Sequence, residues 1–433
     1  MLPVNQAEQL ILNLVQPLDV GQDGETLNLL DASGRILAEP IISSLDFPHW
    51  DNSAMDGYAV RYADVQGCAA ETPVTLTIVE EIPAGYQPQK TIQPGQAARI
   101  LTGSVMPSGA DTIVIQEETQ REGDRVTIFA TPQPHAFVRD RGAYYQAGNP
   151  LLPAGLRLQA AEIAVLAAAQ CAQVKVYRRP KVAILSTGSE LVAIDQPLQP
   201  GQIVDSNQYA LAALVAQAGA EPLLLGRVPD QPKALRAAIQ EAIAVADMVL
   251  SSGGVSVGDY DYVDEILAAL GATIHIRAVA IKPGKPLTVA TFDRIGNTEQ
   301  EVGNEIISPD SKTPTPNSRV LYFGLPGNPV SALVTCWRFG LPALRKLSGL
   351  PTPWEPEFVS ARSLNTLKSD GKRESYLWGK LWLVNGEYEF EPAIGSYSSG
   401  NLINLAGTSG LAVIPVGETQ ILAGDRVQVL PIG

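Results

Sequence analysis

Between Lys181 and Gly271 the chain alternates short apolar runs with stretches of helical period, and no other feature constrains its fold as tightly. The runs KVAILST, EPLLLGRV and MVLSSGG have strand length, whereas QYALAALVAQAG, PKALRAAIQEAIAVA and YVDEILAALG carry apolar residues at helical spacing. Strands and helices in this order imply a parallel sheet with right-handed crossovers. The later runs LTVATFD and RVLYFGL and the helical stretch VSALVTCWRFGLPALRKL are expected to complete a doubly wound α/β domain over 179–350. The polar, turn-rich stretch between those two runs, about 296–317, reads as a disordered surface insertion.

On either side of this domain the periodicity changes. The opening MLPVNQAEQLILNLVQPL lacks a basic leading region and reads as an amphipathic helix rather than a secretory signal. TLNLLDASGRILAEPIISSLDFP reads as a second short helix running into an extended, proline-ended segment. Short alternating runs from about Pro73 to Val138 argue for a β-rich module, expected to occupy 47–139 and to be inserted in a first, largely helical domain made of 1–46 and 140–178. After a proline-marked linker, KLWLV, EYEFEPA, LAVIP and DRVQVLP suggest a small C-terminal β-barrel over 351–433.

Composition narrows the chemistry. With a net charge of −14 over 433 residues the chain is a poor partner for nucleic acid, and any site for an anion must be locally basic. No apolar run reaches the roughly 20 residues of a membrane span. Three scattered cysteines, Cys68, Cys171 and Cys336, fit a reduced, cytoplasmic setting and neither a disulfide framework nor a zinc site. Only His49, His135 and His275 occur, none at ligand spacing, so carboxylates, a hard metal and backbone dipoles are the available tools.

In an open α/β sheet, ligands bind beyond the carboxyl ends of the strands. Four such loops are equipped for it. KVAIL leads to Ser186, Thr187, Gly188 and Glu190; LLLGRV leads to Asp230. MVL leads to Ser252, Gly253, Gly254, Ser256 and Gly258 with Asp261 beyond, and RVLYFGL leads to Pro326, Gly327, Asn328 and Pro329. Small residues let backbone N–H groups close on a phosphate. Glu190, Asp230 and Asp261 leave different strand ends and are able to converge on a hard cation, while Lys282 and Lys285 of IKPGKP suit phosphate or an oxyanion. Outside this domain, Asp56 before Gly57, Thr102 after a strand, and Arg139 with Arg141 in VRDRG are further candidates, the guanidinium pair suiting a tetrahedral oxyanion.

In order along the chain, DNSAMDGYAVR, LTGSVMPSGADTIVIQEE, VRDRG, STGSEL, SSGGVSVGDYDY, IKPGKP and GLPGNPVSA resemble the molybdopterin molybdenumtransferase family, MoeA and the E domain of gephyrin. The resemblance implies a central domain similar to MogA and MoaB and an elongated homodimer. It also implies insertion of molybdate into molybdopterin from its adenylylated form, with magnesium-dependent release of AMP, and a MogA-like adenylyltransferase as a possible partner. Carried over, Asp56, Thr102, Glu190, Asp230 and Asp261 match positions tied to activity or metal, Pro326 and Pro329 match the pocket loop, and Lys282 and Arg139 match basic positions. The chain departs from the family at Ala143 and Tyr144, where R-G-E-D is usual, and at Tyr376 and Trp378, where F-x-R-G is usual. Two alternatives stay open on the same fold: a molybdopterin adenylyltransferase, and a scaffolding dimer without turnover.

Overall fold

The computed structural model describes residues 1–254, 263–293 and 319–432, in two compact units. One unit comprises Met1–Glu39, Ala154–Ile163 and Ala172–Gly433; the other comprises Pro40–Pro153 and Ala164–Cys171.

The larger unit is built on a six-stranded sheet in the order Glu221–Val228, Lys181–Thr187, Met248–Ser252, Arg319–Leu325, Pro286–Asp293, Thr273–Ala278. The first four strands are parallel, as the strand–helix alternation requires. The last two pairings are antiparallel, so Pro286–Asp293 runs against the other five strands, a local departure from the parallel order that the alternation implies. TIHIRA, a short alternating run that the sequence reading passed over, forms the edge strand Thr273–Ala278. Helices Asn207–Gln217, Pro232–Val245 and Val263–Ala269 belong to this domain. Leu211 and Val215 pack with Val182 and Ile184 in one core, while Leu235 and Ile239 pack with Ala183 and Leu185 in a second. Successive strand residues thus bury on opposite faces, the mark of a doubly wound sheet. The expected insertion at about 296–317 lies outside the described residues.

The first helix, Val4–Leu14, buries Val4, Ala7 and Ile11 in the core that holds Val182 and Ile184, as its period requires. The segment read as a second helix forms instead the strand Gly24–Asn28 and a run of turns. That strand pairs antiparallel with Gln173–Tyr177, so tertiary pairing overrides a weak helical period interrupted by Gly34. A buried triad ties this region to the sheet: Arg178 donates from Nε to Asp23 at 2.7 Å and from both Nη atoms to Asp247 at 2.7 and 2.8 Å.

The C-terminal strands Glu374–Val384, Glu387–Pro392, Val359–Ser363, Arg426–Pro431 and Gly410–Ile414 pair in that order, and the last pairs back to the first. The result is a closed five-stranded barrel that leaves no open edge among these strands. The short strand Ile281–Lys282 adds parallel to Glu374–Ser375 and joins barrel to α/β domain.

The smaller unit carries a six-stranded sheet in the order Thr112–Ile115, Gly57–Val60, Gln96–Ile100, Val74–Ile82, Arg125–Ile128, Thr119–Glu122. Gly57 stands where a Cβ would fall 2.0 Å from the carbonyl oxygen of Val114, so the strand begins on a residue that only glycine can supply.

Candidate active site

The strand ends of the α/β sheet and one wall of the barrel enclose a cavity of about 990 Å³. Parallel strands share one carboxyl edge, so the loops after Lys181–Thr187, Met248–Ser252 and Arg319–Leu325 open on the same side. Thr187, Gly188, Ser252, Gly253 and Gly254 line the cavity with Pro326, Gly327, Asn328 and Pro329. Gly253 is held at φ +93°, and a Cβ there would lie 2.3 Å from the carbonyl oxygen of Thr187. The close approach of these two strand ends therefore depends on glycine.

Glu190 and Asp230 line the same cavity as exposed carboxylates. The loops that carry them are stitched together: Ser189 donates its N–H to Asp230 Oδ2 at 3.2 Å, and Asp230 donates its N–H to Ser189 Oγ at 3.3 Å. Asp261, Ser256 and Gly258 lie outside the described residues. Among the described residues no three metal-ligating side chains cluster. Two carboxylates suit Mg2+, which typically binds one or two carboxylates and fills its octahedron with water and phosphate oxygens, better than a metal that demands an all-protein cage.

Ser186 has a different place. It is fully buried, its hydroxyl donates to Asp205 Oδ1 at 2.9 Å, and it accepts from Ser252 Oγ at 3.2 Å. This chain of buried groups fixes the wall behind Ser252. Asn207, the first residue of its helix, lines the cavity and donates to the carbonyl of Gly327 at 2.9 Å. It opens the helix that follows the strand Lys181–Thr187, at the end of a long connection, and the sequence reading missed it.

Positive charge comes from Lys282 and Lys285, both exposed and lining the cavity. Lys282 Nζ pairs with Asp370 Oδ2 at 2.8 Å, and this hydrogen bond is the main cause holding the Asp370 carboxyl below its ordinary range. The barrel adds Lys368, Arg373, Tyr376 and Trp378 to the lining. The two family departures on this wall are buried anchors: Tyr376 accepts from Arg338 Nε at 2.9 Å and donates to Glu374 at 2.6 Å. Trp378 donates to Asn404 Oδ1 at 2.8 Å and packs on Tyr397 with ring centroids 4.7 Å apart.

Asp56, Thr102 and Arg139 belong to the smaller unit. Gly57 pairs in register with Ile100, which brings Asp56 and Thr102 together just beyond the sheet's end. Asp56 Oδ1 accepts both the hydroxyl and the N–H of Thr102, and these bonds, with the charge of Arg99, hold its carboxyl below the ordinary value. Arg139 pairs with Asn52 in a two-residue ladder. At the other departure, Tyr144 is 72% exposed and Ala143 stands beside it.

An α/β domain that gathers acidic and basic groups around one cavity is the arrangement of a protein that binds a charged small molecule, and comparison with known proteins gives the family. Residues 2–169 match the MoeA N-terminal region (domain I and II), residues 183–346 the probable molybdopterin binding domain, and residues 360–432 the MoeA C-terminal region (domain IV). A molybdopterin molybdenumtransferase of Nostoc sp. is 63% identical over 99% of this chain and 93% of its own length. One from Haemophilus influenzae is 33% identical over 100% and 98%. A crystal structure of the molybdopterin biosynthesis MoeA protein of Pyrococcus horikoshii superposes with a TM-score of 0.80 at 27% identity, covering 100% of both chains. The chain belongs to the molybdopterin molybdenumtransferase family. Among the described residues no helix is long and apolar enough to cross a membrane.

Proposed function

We propose that this chain is a molybdenumtransferase that inserts molybdenum, taken from molybdate, into molybdopterin, using the adenylylated pterin and releasing AMP. One observation carries the reading: a single cavity of about 990 Å³ brings Glu190 and Asp230 together with Lys282 and Lys285. A substrate that joins a phosphate chain to a metal-accepting dithiolene needs both signs of charge in one place. Glu190 and Asp230 would hold Mg2+, which when bound neutralises phosphate charge and polarises the P–O bond. The glycine-rich turn at Gly253 and Gly254 lets the backbone come close to the phosphate chain, and Lys282 and Lys285 stabilise oxyanion charge. Asp261 joins Glu190 and Asp230 in this reading, and Asp56, Thr102 and Arg139 of the smaller unit are further residues required for activity.

The same reading takes the chain as a cytoplasmic homodimer that receives its substrate from a MogA-like adenylyltransferase. The adenylyltransferase alternative is disfavoured by the matches to MoeA regions on both sides of the central domain. Incubating the protein with adenylylated molybdopterin, molybdate and Mg2+ tests the proposal. AMP release and molybdenum-loaded cofactor should both require molybdate; tight binding without turnover would favour a scaffold.

A further inference from the structure

We infer that Arg338 is a positioning residue for the barrel wall of the cavity, tying Tyr376 to the first helix; that this wall serves molybdenum insertion rests on the function proposed above. Arg338 is buried in a π-helical turn, Cys336–Gly340, that continues the helix Pro329–Thr335. Such turns are rare and concentrate at functional sites. The guanidinium joins two distant elements. Its Nη atoms donate to the two carboxylate oxygens of Glu8 in the helix Val4–Leu14, one of them at 3.0 Å, and its Nε donates to the Tyr376 hydroxyl at 2.9 Å. That hydroxyl donates in turn to Glu374 Oε1 at 2.6 Å. The rings of Phe339 and Phe358 lie 5.4 and 5.7 Å from the central carbon of the guanidinium, so apolar packing confines it as well.

Tyr376 is the member of this network that lines the cavity, so Arg338 and Glu8 bear on a ligand through it. The start of the chain also braces the same point: Ala280 accepts the N–H of Glu374 and donates its own N–H to Leu2. Where Tyr376 stands the family pattern has phenylalanine. A buried hydroxyl is costly unless it is hydrogen-bonded, and here Arg338 and Glu374 supply an incoming and an outgoing bond. Phenylalanine at this place would leave the Arg338 Nε without its acceptor and Glu374 without its donor. An arginine that must satisfy a carboxylate on one element and a hydroxyl on another leaves little freedom to either, and the network therefore fixes where the Tyr376 ring stands.

The full chain is compared with Glu8→Gln, Tyr376→Phe and the double variant. Two quantities are read well below the melting temperature: kcat/KM for molybdenum insertion, and hydrogen exchange at the amides of Glu374, Ser375 and Tyr376. Each single variant should lower kcat/KM about fivefold or more and speed exchange at these amides by a similar factor. Because both act through Arg338, the double variant should fall no more than about twofold below the weaker single variant. Arg178→Met, whose triad does not line the cavity, lowers the melting temperature and should keep kcat/KM within about twofold, which separates positioning from stability. Unchanged kcat/KM in both single variants, losses that multiply in the double variant, or lost activity without faster exchange at these amides overturns the inference. If the unaltered chain does not turn over, the transferase reading falls, and exchange alone decides this one: equal rates in all variants overturn it, and faster exchange in both single variants leaves it standing.

Discussion

Thr102 donates both its backbone N–H and its hydroxyl to the same oxygen of Asp56, each at 2.7 Å. These bonds favour the charged carboxylate and lower its pKa from the ordinary 3.8. Because the folded-state value is depressed, the contribution of this contact to stability is fully present above pH 3.8 and is lost as pH falls through the lower folded value. Thr102→Val removes the hydroxyl and keeps the N–H, so the Asp56 titration should move upward toward the ordinary value. Carboxyl-carbon NMR titration reads this directly, and an unmoved midpoint would refute it.

Gly253 sits at φ +93° with the carbonyl of Thr187 where its Cβ would be. Gly253→Ala should cost about 1–3 kcal/mol through backbone strain and should displace the strand-end loops that line the cavity. Thermal melting and affinity for adenylylated molybdopterin should fall together; a variant with unchanged affinity would show that the loop does not bear on the ligand.

The parts legible in the sequence were those whose signal is local. KVAIL and MVL are apolar because the central strands they form are buried on both faces, whereas EPLLLGRV forms the partly exposed edge strand, and the glycine-rich loops follow from strand ends. The strand Gly24–Asn28 was misread because its partner, Gln173–Tyr177, lies far along the chain. The barrel wall of the cavity escaped for the same reason: nothing near Lys368, Arg373 or Tyr397 announces a ligand until the Ile281–Lys282 strand pairs with Glu374–Ser375. Ser186 looked like a loop hydroxyl and is a buried donor to Asp205, a partner 19 residues away.

Arg178 holds two buried carboxylates, Asp23 and Asp247, whose side chains are 3% and 1% exposed. Arg178→Met leaves both without this cation, and the larger unit should lose about 3–5 kcal/mol. Its melting transition should drop by several degrees, and a change within error would contradict the triad's role.

Trp378 is fully buried against Tyr397. Trp378→Arg, which restores the family pattern at that position, should cost about 3 kcal/mol or more, because it removes a packed indole and buries a charge without a built partner. Denaturation of the full chain followed by tryptophan-independent circular dichroism checks this; a stability equal to the original would mean that the barrel wall already accommodates a cation.

The central claim is that Glu190 and Asp230 act from the acidic side of the cavity on a phosphate-bearing molybdopterin while molybdenum is inserted. The most direct measurement follows AMP and molybdenum-loaded cofactor together, with adenylylated molybdopterin, molybdate and Mg2+, in the unaltered chain and in Asp230→Asn. Both products should depend on molybdate in the unaltered chain and fall at least a hundredfold in Asp230→Asn, which stays folded and still binds the pterin. Molybdenum-loaded cofactor formed at the full rate by Asp230→Asn would contradict it.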